Sequence, residues 1–223
     1  MKLCGVIFDA DGTLLDSMSV WDNISDEYLL SLGITPEDNL SEKVSAMSQA
    51  EAAEYFIGRY KLNKTADEIT DGINSMLCDK YRFEIGAKEG VKDFLKALSC
   101  GGVKMCIATA TDKKLVSAAL ERCGIDMYFG EVFTCGKIGK SKSHPDIYLS
   151  ALEYLKTDKE NTVVFEDAYH AVKTAKQSGF KVACMFDKSE KNADKARNLS
   201  DFYFNNFAEA QALLKFRNGE MYL

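Results

Sequence analysis

The sequence predicts an α/β fold in which a parallel sheet carries helices on both faces and an all-helical segment interrupts the chain after the first strand. Short apolar runs without strict polar alternation recur along the chain, as expected for strands that are buried on both faces. Amphipathic segments separate these runs, which favours parallel strands joined by helices. Residues 16–83 lack such runs and have the pattern of successive helices.

The apolar runs define the order of the predicted elements. Five strands are predicted at residues 3–8, 103–108, 131–134, 162–165 and 182–186, with a weaker sixth at 201–204. Helices are predicted at 90–98, 112–123, 145–155 and 167–178, and a last one at 207–216. This alternation is typical of a Rossmann-like core, which we assign to residues 1–15 and 84–223.

The interrupting segment, residues 16–83, is predicted to be a separate helical domain. Apolar residues recur at helical spacing over its first part. Thr35 and Pro36 are predicted to begin a second helix, because proline is tolerated in the first turn. The tetrapeptides S-Q-A-E from Ser48 and T-A-D-E from Thr65 match the capping box and predict two further helices.

The composition narrows the class of protein. The chain has 223 residues, with 28 Lys and Arg against 34 Asp and Glu, and a formal charge of −6. An acidic balance argues against a nucleic-acid partner, and no apolar run reaches the ~18 residues of a membrane span. The N-terminus lacks the pattern of a signal peptide. Seven cysteines without C-x-x-C spacing are typical of reduced thiols. We therefore expect a cytoplasmic protein, and a monomer.

Two aspartates follow the first predicted strand. Asp9 and Asp11 stand two residues apart, and Gly12 follows them. Ligands of open α/β sheets bind at the carboxyl ends of the strands. Two carboxylates this close repel each other unless a cation or a shared proton relieves them, and Mg²⁺ prefers such oxygen ligands. An acidic surface turn is the alternative; a calcium loop fails because its twelfth position is Val20 rather than glutamate.

A second acidic pair, Glu166 and Asp167, ends another apolar strand. Taken alone, such a pair is more often a solvated helix start, since carboxylates favour the first turn. Its recurrence at the edge of the sheet where Asp9 lies favours a shared metal site.

Hydroxyl and basic side chains add two weaker signals. Thr109 ends a strand that leads into a helix N-terminus, where an anion can bind; a simple helix cap at Thr111 or Asp112 is the alternative. Lys142 lies in the basic stretch K-I-G-K-S-K before another helix and can stabilise a phosphoryl group. A basic surface loop is the alternative there. The two histidines are expected to be structural or exposed.

Four motifs in this order resemble the haloacid dehalogenase superfamily of aspartate-nucleophile phosphotransferases. They are F-D-A-D-G-T-L-L-D at 8–16, A-T-A-T at 108–111, K-x-x-P-D at 142–146 and F-E-D at 165–167. The helical segment 16–83 is similar to the α-helical cap of that superfamily. The resemblance is strongest to its phosphatase and β-phosphoglucomutase-like branch.

The resemblance implies a role for each matching residue. Asp9 corresponds to the nucleophile that becomes a transient aspartyl phosphate. Asp11 corresponds to the general acid that protonates the leaving oxygen and then the base that activates water. The other implied residues are the phosphate-binding Thr109 and Ala110 and the cation Lys142. The implied Mg²⁺ ligands are the Asp9 carboxylate, the Asp11 backbone carbonyl and Asp167, with Glu166 binding directly or through water.

The chain departs from the pattern at several positions. It has Ala110 where many members carry asparagine, Ser143 in place of a proline and Ala168 in place of a serine. Gln49 stands where β-phosphoglucomutases carry a phosphate-gripping arginine, and Trp21 near where they carry a histidine. A mutase must hold a bisphosphate at both ends, so the loss of that cation favours hydrolysis.

The sequence thus predicts a Mg²⁺-dependent phosphatase that acts on a small phosphorylated metabolite. Four cap residues, Met18, Trp21, Met47 and Gln49, are expected to set its specificity. Dehalogenases of the superfamily lack the second acid, so Asp11 argues against dehalogenation. A sugar-phosphate mutase and a non-catalytic binding protein on the same fold remain the alternatives.

Overall fold

A six-stranded parallel sheet forms the centre of the computed structural model, which describes residues 1–223. Its strands are β1 (Gly5–Phe8), β2 (Lys104–Thr109), β3 (Val132–Thr134), β4 (Thr162–Glu166), β5 (Lys181–Met185) and β6 (Phe202–Phe204). The spatial order is β3-β2-β1-β4-β5-β6, and every pair is parallel. The predicted α/β class is confirmed, and each predicted strand is present within two residues of its expected ends.

Helices cover both faces of this sheet because its strands are apolar on both sides. They are α5 (Val91–Cys100), α6 (Lys113–Cys123), α7 (Cys135–Ile138), α8 (Asp146–Leu155), α9 (Tyr169–Gln177), α10 (Ala193–Leu199) and α11 (Phe207–Leu213). Successive side chains of β1 enter opposite faces: Val6 and Phe8 belong to the larger core cluster, and Ile7 belongs to the smaller one. β1 is therefore buried from both sides and sits in the middle of the sheet.

The last predicted helix is too long. Helix α11 ends at Leu213, and Phe216 lies instead in a two-stranded antiparallel hairpin of β7 (Lys215–Arg217) and β8 (Glu220–Tyr222). Asn218 and Gly219 connect the strands, both with positive φ. Asn-Gly is the strongest short hairpin signal because a type I′ turn needs positive φ at both central residues, and it overrides the helical pattern here.

Four helices lie between β1 and α5 and pack on one another: α1 (Met18–Ser31), α2 (Leu40–Val44), α3 (Gln49–Tyr60) and α4 (Ala66–Asp79). A π-helical turn at Lys80–Glu84 continues α4. Both predicted capping boxes are present, at the first turns of α3 and α4. None of the helices combines the length and the apolar composition that a membrane span requires.

The prediction that Thr35 and Pro36 begin a helix is wrong. The chain is not helical at these residues, and α2 begins only at Leu40. A residue before proline is disfavoured in the α region. The carboxylate of Glu37 is also bound by the side chains of Lys43 and Arg59, with N to O distances of 2.8 and 3.1 Å, which ties this segment to its neighbours.

The two connections between the helical segment and the rest of the chain run side by side. The Asp16 amide donates to the Gly86 carbonyl at 2.9 Å, and the Lys88 amide donates to the Leu14 carbonyl at 2.8 Å. An antiparallel bridge joins Leu15 to Ala87. Residues 16–85 therefore leave and re-enter the α/β core at one point.

Phe94 on α5 tests the core of the sheet. Its ring centroid lies 6.3, 5.4 and 5.2 Å from those of Phe8, Phe165 and Phe207. We expect Phe94→Ala to lower the free energy of unfolding by ~3–5 kcal/mol, because the substitution leaves a cavity in a packed aromatic cluster. Urea denaturation followed by circular dichroism measures this change. Phe216→Ala is the control, since that ring is 61% exposed, and a similar loss in both variants would contradict the assignment of the core.

Candidate active site

The candidate site lies where three neighbouring strands end. Asp9 directly follows β1, Thr109 ends β2, and Glu166 ends β4 with Asp167 after it. Because Phe8 at the end of β1 pairs with Ile107 of β2 and Phe165 of β4, the parallel register brings these ends to one edge of the sheet. The acidic and hydroxyl residues predicted from separate motifs therefore meet in space.

Three buried carboxylates form the centre of the site. Oxygen atoms of Asp9, Glu166 and Asp167 all lie within 4.8 Å of one another. The Lys142 ammonium group reaches two of them, at 2.5 Å from Asp9 Oδ1 and 2.7 Å from Glu166 Oε1. The Tyr148 hydroxyl donates to the same Glu166 oxygen at 2.7 Å. One lysine thus faces three acids, and all four side chains are buried.

This imbalance shifts the titration of the site. Burial and the neighbouring Glu166 raise the pKa of Asp9 well above its usual range, and Lys142 opposes them only in part. Burial and Glu166 also raise the pKa of Asp167 to about 7. Burial lowers the pKa of Lys142, but the two carboxylates it contacts outweigh burial and raise it overall. The site is short of positive charge.

The donor set fits a hard divalent cation. All three groups offer carboxylate oxygens, the ligands that Mg²⁺ prefers. Glu166 Oε2 is buried and has no hydrogen-bond partner in the protein, which is costly unless another group satisfies it. The Thr13 hydroxyl donates to Asp167 Oδ1 at 2.8 Å and orients that carboxylate. The residues present can hold Mg²⁺.

Gly12 makes room for this arrangement. It has a φ of +78°, and a Cβ atom at this position would lie 2.3 Å from Asp167 Oδ2. A side chain here would be strained by the backbone and would collide with a carboxylate of the cluster. The glycine of the D-x-D-G motif therefore serves both the turn and the packing of the acidic cluster.

Asp11 is held apart from the acidic cluster by three hydroxyl groups. Ser17 and Tyr81 donate to its Oδ1 at 2.7 and 2.5 Å, and Thr111 donates to its Oδ2 at 2.7 Å. The Trp21 indole donates in turn to the Tyr81 hydroxyl at 2.7 Å. Both aromatic residues belong to the helical segment, so the segment fixes the position of the Asp11 carboxylate.

The hydroxyl motif after β2 divides its roles among adjacent residues. Asp112 caps α6 by accepting from the Lys114 amide at 2.8 Å, so Thr111 is free to donate to Asp11. Thr109 is buried, and its Oγ1 accepts from the Thr111 amide at 3.1 Å. Thr109 and Ala110 both line the cavity above the acids.

A cavity of about 210 Å³ lies between the sheet edge and the helical segment. The acids, Lys142 and the hydroxyl motif line its floor. All four residues expected to set specificity line it as well: Met18, Trp21, Met47 and Gln49. The Gln49 side-chain amide donates to Asn74 Oδ1 at 2.8 Å, which fixes its direction.

Some residues of the site were not found from the sequence. Tyr81 and Thr111 were not assigned to Asp11, because the contact to Tyr81 spans 70 residues and no local pattern marks it. His170 lines the cavity rather than lying apart from the site, and burial lowers its pKa. Its position three residues after Asp167, in the first turn of a helix, was the available signal. Lys140, by contrast, lies outside and pairs with Asp146.

Comparisons with known proteins give a consistent result. The family described as "Haloacid dehalogenase-like hydrolase" matches residues 6–185. Phosphorylated carbohydrates phosphatase of Thermotoga maritima is 24% identical over 174 residues, which cover 78% of this chain and 81% of that protein. Fructose-1-phosphate phosphatase YqaB of Escherichia coli is 24% identical over 190 residues, covering 80% of this chain and 94% of that protein.

Solved structures share the fold. CbbY from Rhodobacter sphaeroides in complex with phosphate superimposes with a TM-score of 0.79 at 21% identity, covering 93% of this chain and 96% of that one. β-Phosphoglucomutase from Clostridium difficile superimposes with a TM-score of 0.75 at 16% identity, covering 94% and 96%.

The acidic cluster predicts a metal-dependent gain in stability. We expect added Mg²⁺ to raise the thermal unfolding midpoint, because a ligand that binds only the folded state stabilises it. Asp167→Asn removes one charged ligand and should weaken this response markedly. Asp187→Asn is the control, since Asp187 is a buried aspartate outside the cluster that pairs with Lys88 at 2.7 Å. Differential scanning calorimetry with and without Mg²⁺ measures the shift, and an equal rise in wild type and Asp167→Asn would contradict the site.

Proposed function

The chain belongs to the haloacid dehalogenase-like hydrolases, and on that premise we propose that it is a Mg²⁺-dependent phosphatase that hydrolyses a small phosphate monoester through a phosphorylated Asp9. The observation that carries this proposal is the separation of two aspartates into two environments. Asp9 lies in the acidic cluster against Lys142, whereas Asp11 faces the same cavity on a set of hydroxyl donors. A nucleophile and a separate proton donor are what phosphoryl transfer to a carboxylate requires.

In the first step a carboxylate oxygen of Asp9 attacks phosphorus, and the bond from phosphorus to the alcohol oxygen breaks. Asp11, protonated for this step, gives its proton to that leaving oxygen. In the second step Asp11 takes a proton from water as the water oxygen attacks phosphorus. The bond to Asp9 then breaks, phosphate is released, and both aspartates regain their starting forms.

The other residues of the site bind the phosphate group and neutralise negative charge. Thr109 and the Ala110 amide hold phosphate oxygens, and Lys142 offsets charge on Asp9 and the phosphoryl group. The carboxylates of Asp9, Glu166 and Asp167, together with the Asp11 backbone carbonyl, would hold the Mg²⁺ ion, which when bound neutralises charge on the phosphoryl oxygens. The unsatisfied Glu166 oxygen and the deficit of positive charge support this assignment.

We further propose that residues 16–83 form a cap domain over a catalytic core of residues 1–15 and 84–223. The paired crossings at residues 14–17 and 83–87 are the hinges. Hydrogen bonds join cap to core beside the site. Ser141 donates to Glu51 at 3.3 Å, Ser143 donates to the Ala46 carbonyl at 3.4 Å, and Ser17 and Tyr81 donate to Asp11. The closed cap excludes water from the cavity, and its opening admits substrate.

A mutase is the less supported alternative. Reversible transfer needs a second phosphate site on the cap, and the cap half of the cavity contains no lysine or arginine. The relatives named as phosphatases agree with hydrolysis, although the structural neighbours include proteins named as β-phosphoglucomutases.

The two aspartates predict different kinetic defects. We expect Asp9→Asn to lose turnover completely, because an amide is not a nucleophile toward phosphorus. Asp11→Asn should lower kcat by about 100-fold or more through loss of general acid and base catalysis, while binding of a phosphate analogue persists. Initial rates on a phosphoester panel and calorimetric titration with vanadate measure both. Normal turnover by Asp9→Asn would refute covalent catalysis.

Loss of the Tyr81 hydroxyl is expected to lower kcat, because this hydroxyl positions Asp11. Tyr81→Phe removes one of three donors to Asp11 and should lower kcat by about 10-fold or more with little change in KM, since a hydrogen bond to a charged group contributes ~1.5–3 kcal/mol. The control is Tyr28→Phe, at a buried cap tyrosine whose ring packs against Gly72. Equal kcat losses in both variants, or a rise in KM alone, would assign Tyr81 to cap packing instead.

A further inference from the structure

We infer that the substrate carries a single phosphate on an uncharged alcohol with an apolar face, an inference that rests on the proposed phosphatase function. The phosphate end belongs to the floor of the cavity. The rest of the substrate contacts the cap half of the cavity, which is the part lined by residues 16–83. The charge and polarity of the cap half differ from those of the floor.

The cap half offers no positively charged side chain to a second anionic group on the substrate. Lys142 is the only lysine or arginine among the residues that line the cavity, and it is already bound to Asp9 and Glu166 on the floor. The one charged residue that the cap contributes is Asp22, which is acidic. A carboxylate or second phosphate on the substrate would therefore enter a partly buried space without a partner, and an unpaired buried charge is strongly unfavourable.

Apolar side chains dominate the same region. The cavity extends between α1, α3 and α4 to Ile24, Phe56 and Ile73, all of them buried. Trp21 and Met47 also line it from the cap side. These apolar surfaces bind apolar atoms of a ligand favourably, so we expect the alcohol portion of the substrate to have at least one apolar face.

Apart from Asp22, the polar residues of the cap half are neutral. Ser25, Ser48 and Thr70 line the cavity, and Gln49 is directed by its bond to Asn74. Hydroxyl and amide groups donate to and accept from alcohol groups without requiring charge. The cavity thus suits a short alcohol or polyol phosphate and excludes bisphosphates and phosphorylated acids.

Matched substrates test the inference. 2-Hydroxyethyl phosphate and 2-phosphoglycolate differ only in a hydroxymethyl group against a carboxylate, and fructose 1-phosphate and fructose 1,6-bisphosphate differ in one phosphate. We expect kcat/KM to be at least about 100-fold lower for the more anionic member of each pair, because its extra charge is left without a partner. Comparable values within both pairs would overturn the inference while leaving the phosphatase function intact. Hydrolysis of no phosphomonoester in a broad panel would instead defeat the proposed function.

A charge added to the cap should relax this discrimination. Gln49→Arg places a cation in the cavity. It should lower the ratio of kcat/KM between the less and the more anionic substrate of each pair by about 10-fold or more. Asn23→Arg adds the same charge to an exposed cap position outside the cavity and should leave the ratio unchanged. Met47→Lys repeats the test if the Gln49 variant does not fold, as judged by circular dichroism. An unchanged ratio in both cavity variants would overturn the assignment of specificity to the cap.

Discussion

The crowding of three buried carboxylates around one lysine is the interaction on which the rest of the site depends. Carboxylates at this spacing repel, and burial strengthens the repulsion because solvent does not screen it. Lys142 compensates part of the charge through Asp9 and Glu166 and leaves Asp167 without it. A sheet that places these groups at one edge stores an unfavourable electrostatic energy, which a divalent cation relieves. The floor of the cavity therefore carries an excess of negative charge that a bound cation would offset.

The same edge keeps two aspartates of one motif chemically distinct. Asp9 directly follows β1 and lies in the acidic cluster. Asp11 lies two residues later and accepts hydrogen bonds from hydroxyl groups. Ser17 lies at the first crossing between the helical segment and the core, and Tyr81 lies in the π-helical turn before the second, so the Asp11 carboxylate is held from the helical segment. The orientation of Asp11, which lines the cavity, therefore depends on the position of that segment.

The sheet and the floor of the site could be predicted from the sequence because local patterns encode them. Apolar runs mark the strands, parallel pairing brings their carboxyl ends together, and so Asp9, Thr109 and Glu166 meet. The contact of Tyr81 with Asp11 could not be predicted. The two residues are 70 positions apart, and the contact depends on how the π-helical turn packs against the core. The missed hairpin had a local signal, Asn218 followed by Gly219, which the helical pattern before it concealed.

Gly12 shows that intolerance to mutation need not indicate a functional group. Its missing side chain leaves the space that Asp167 occupies, and its left-handed backbone turns the chain directly after Asp11. Any other residue at position 12 would collide with the Asp167 carboxylate, although glycine itself offers no atom to the acidic cluster. The requirement at this position is the absence of a Cβ atom rather than the presence of a group.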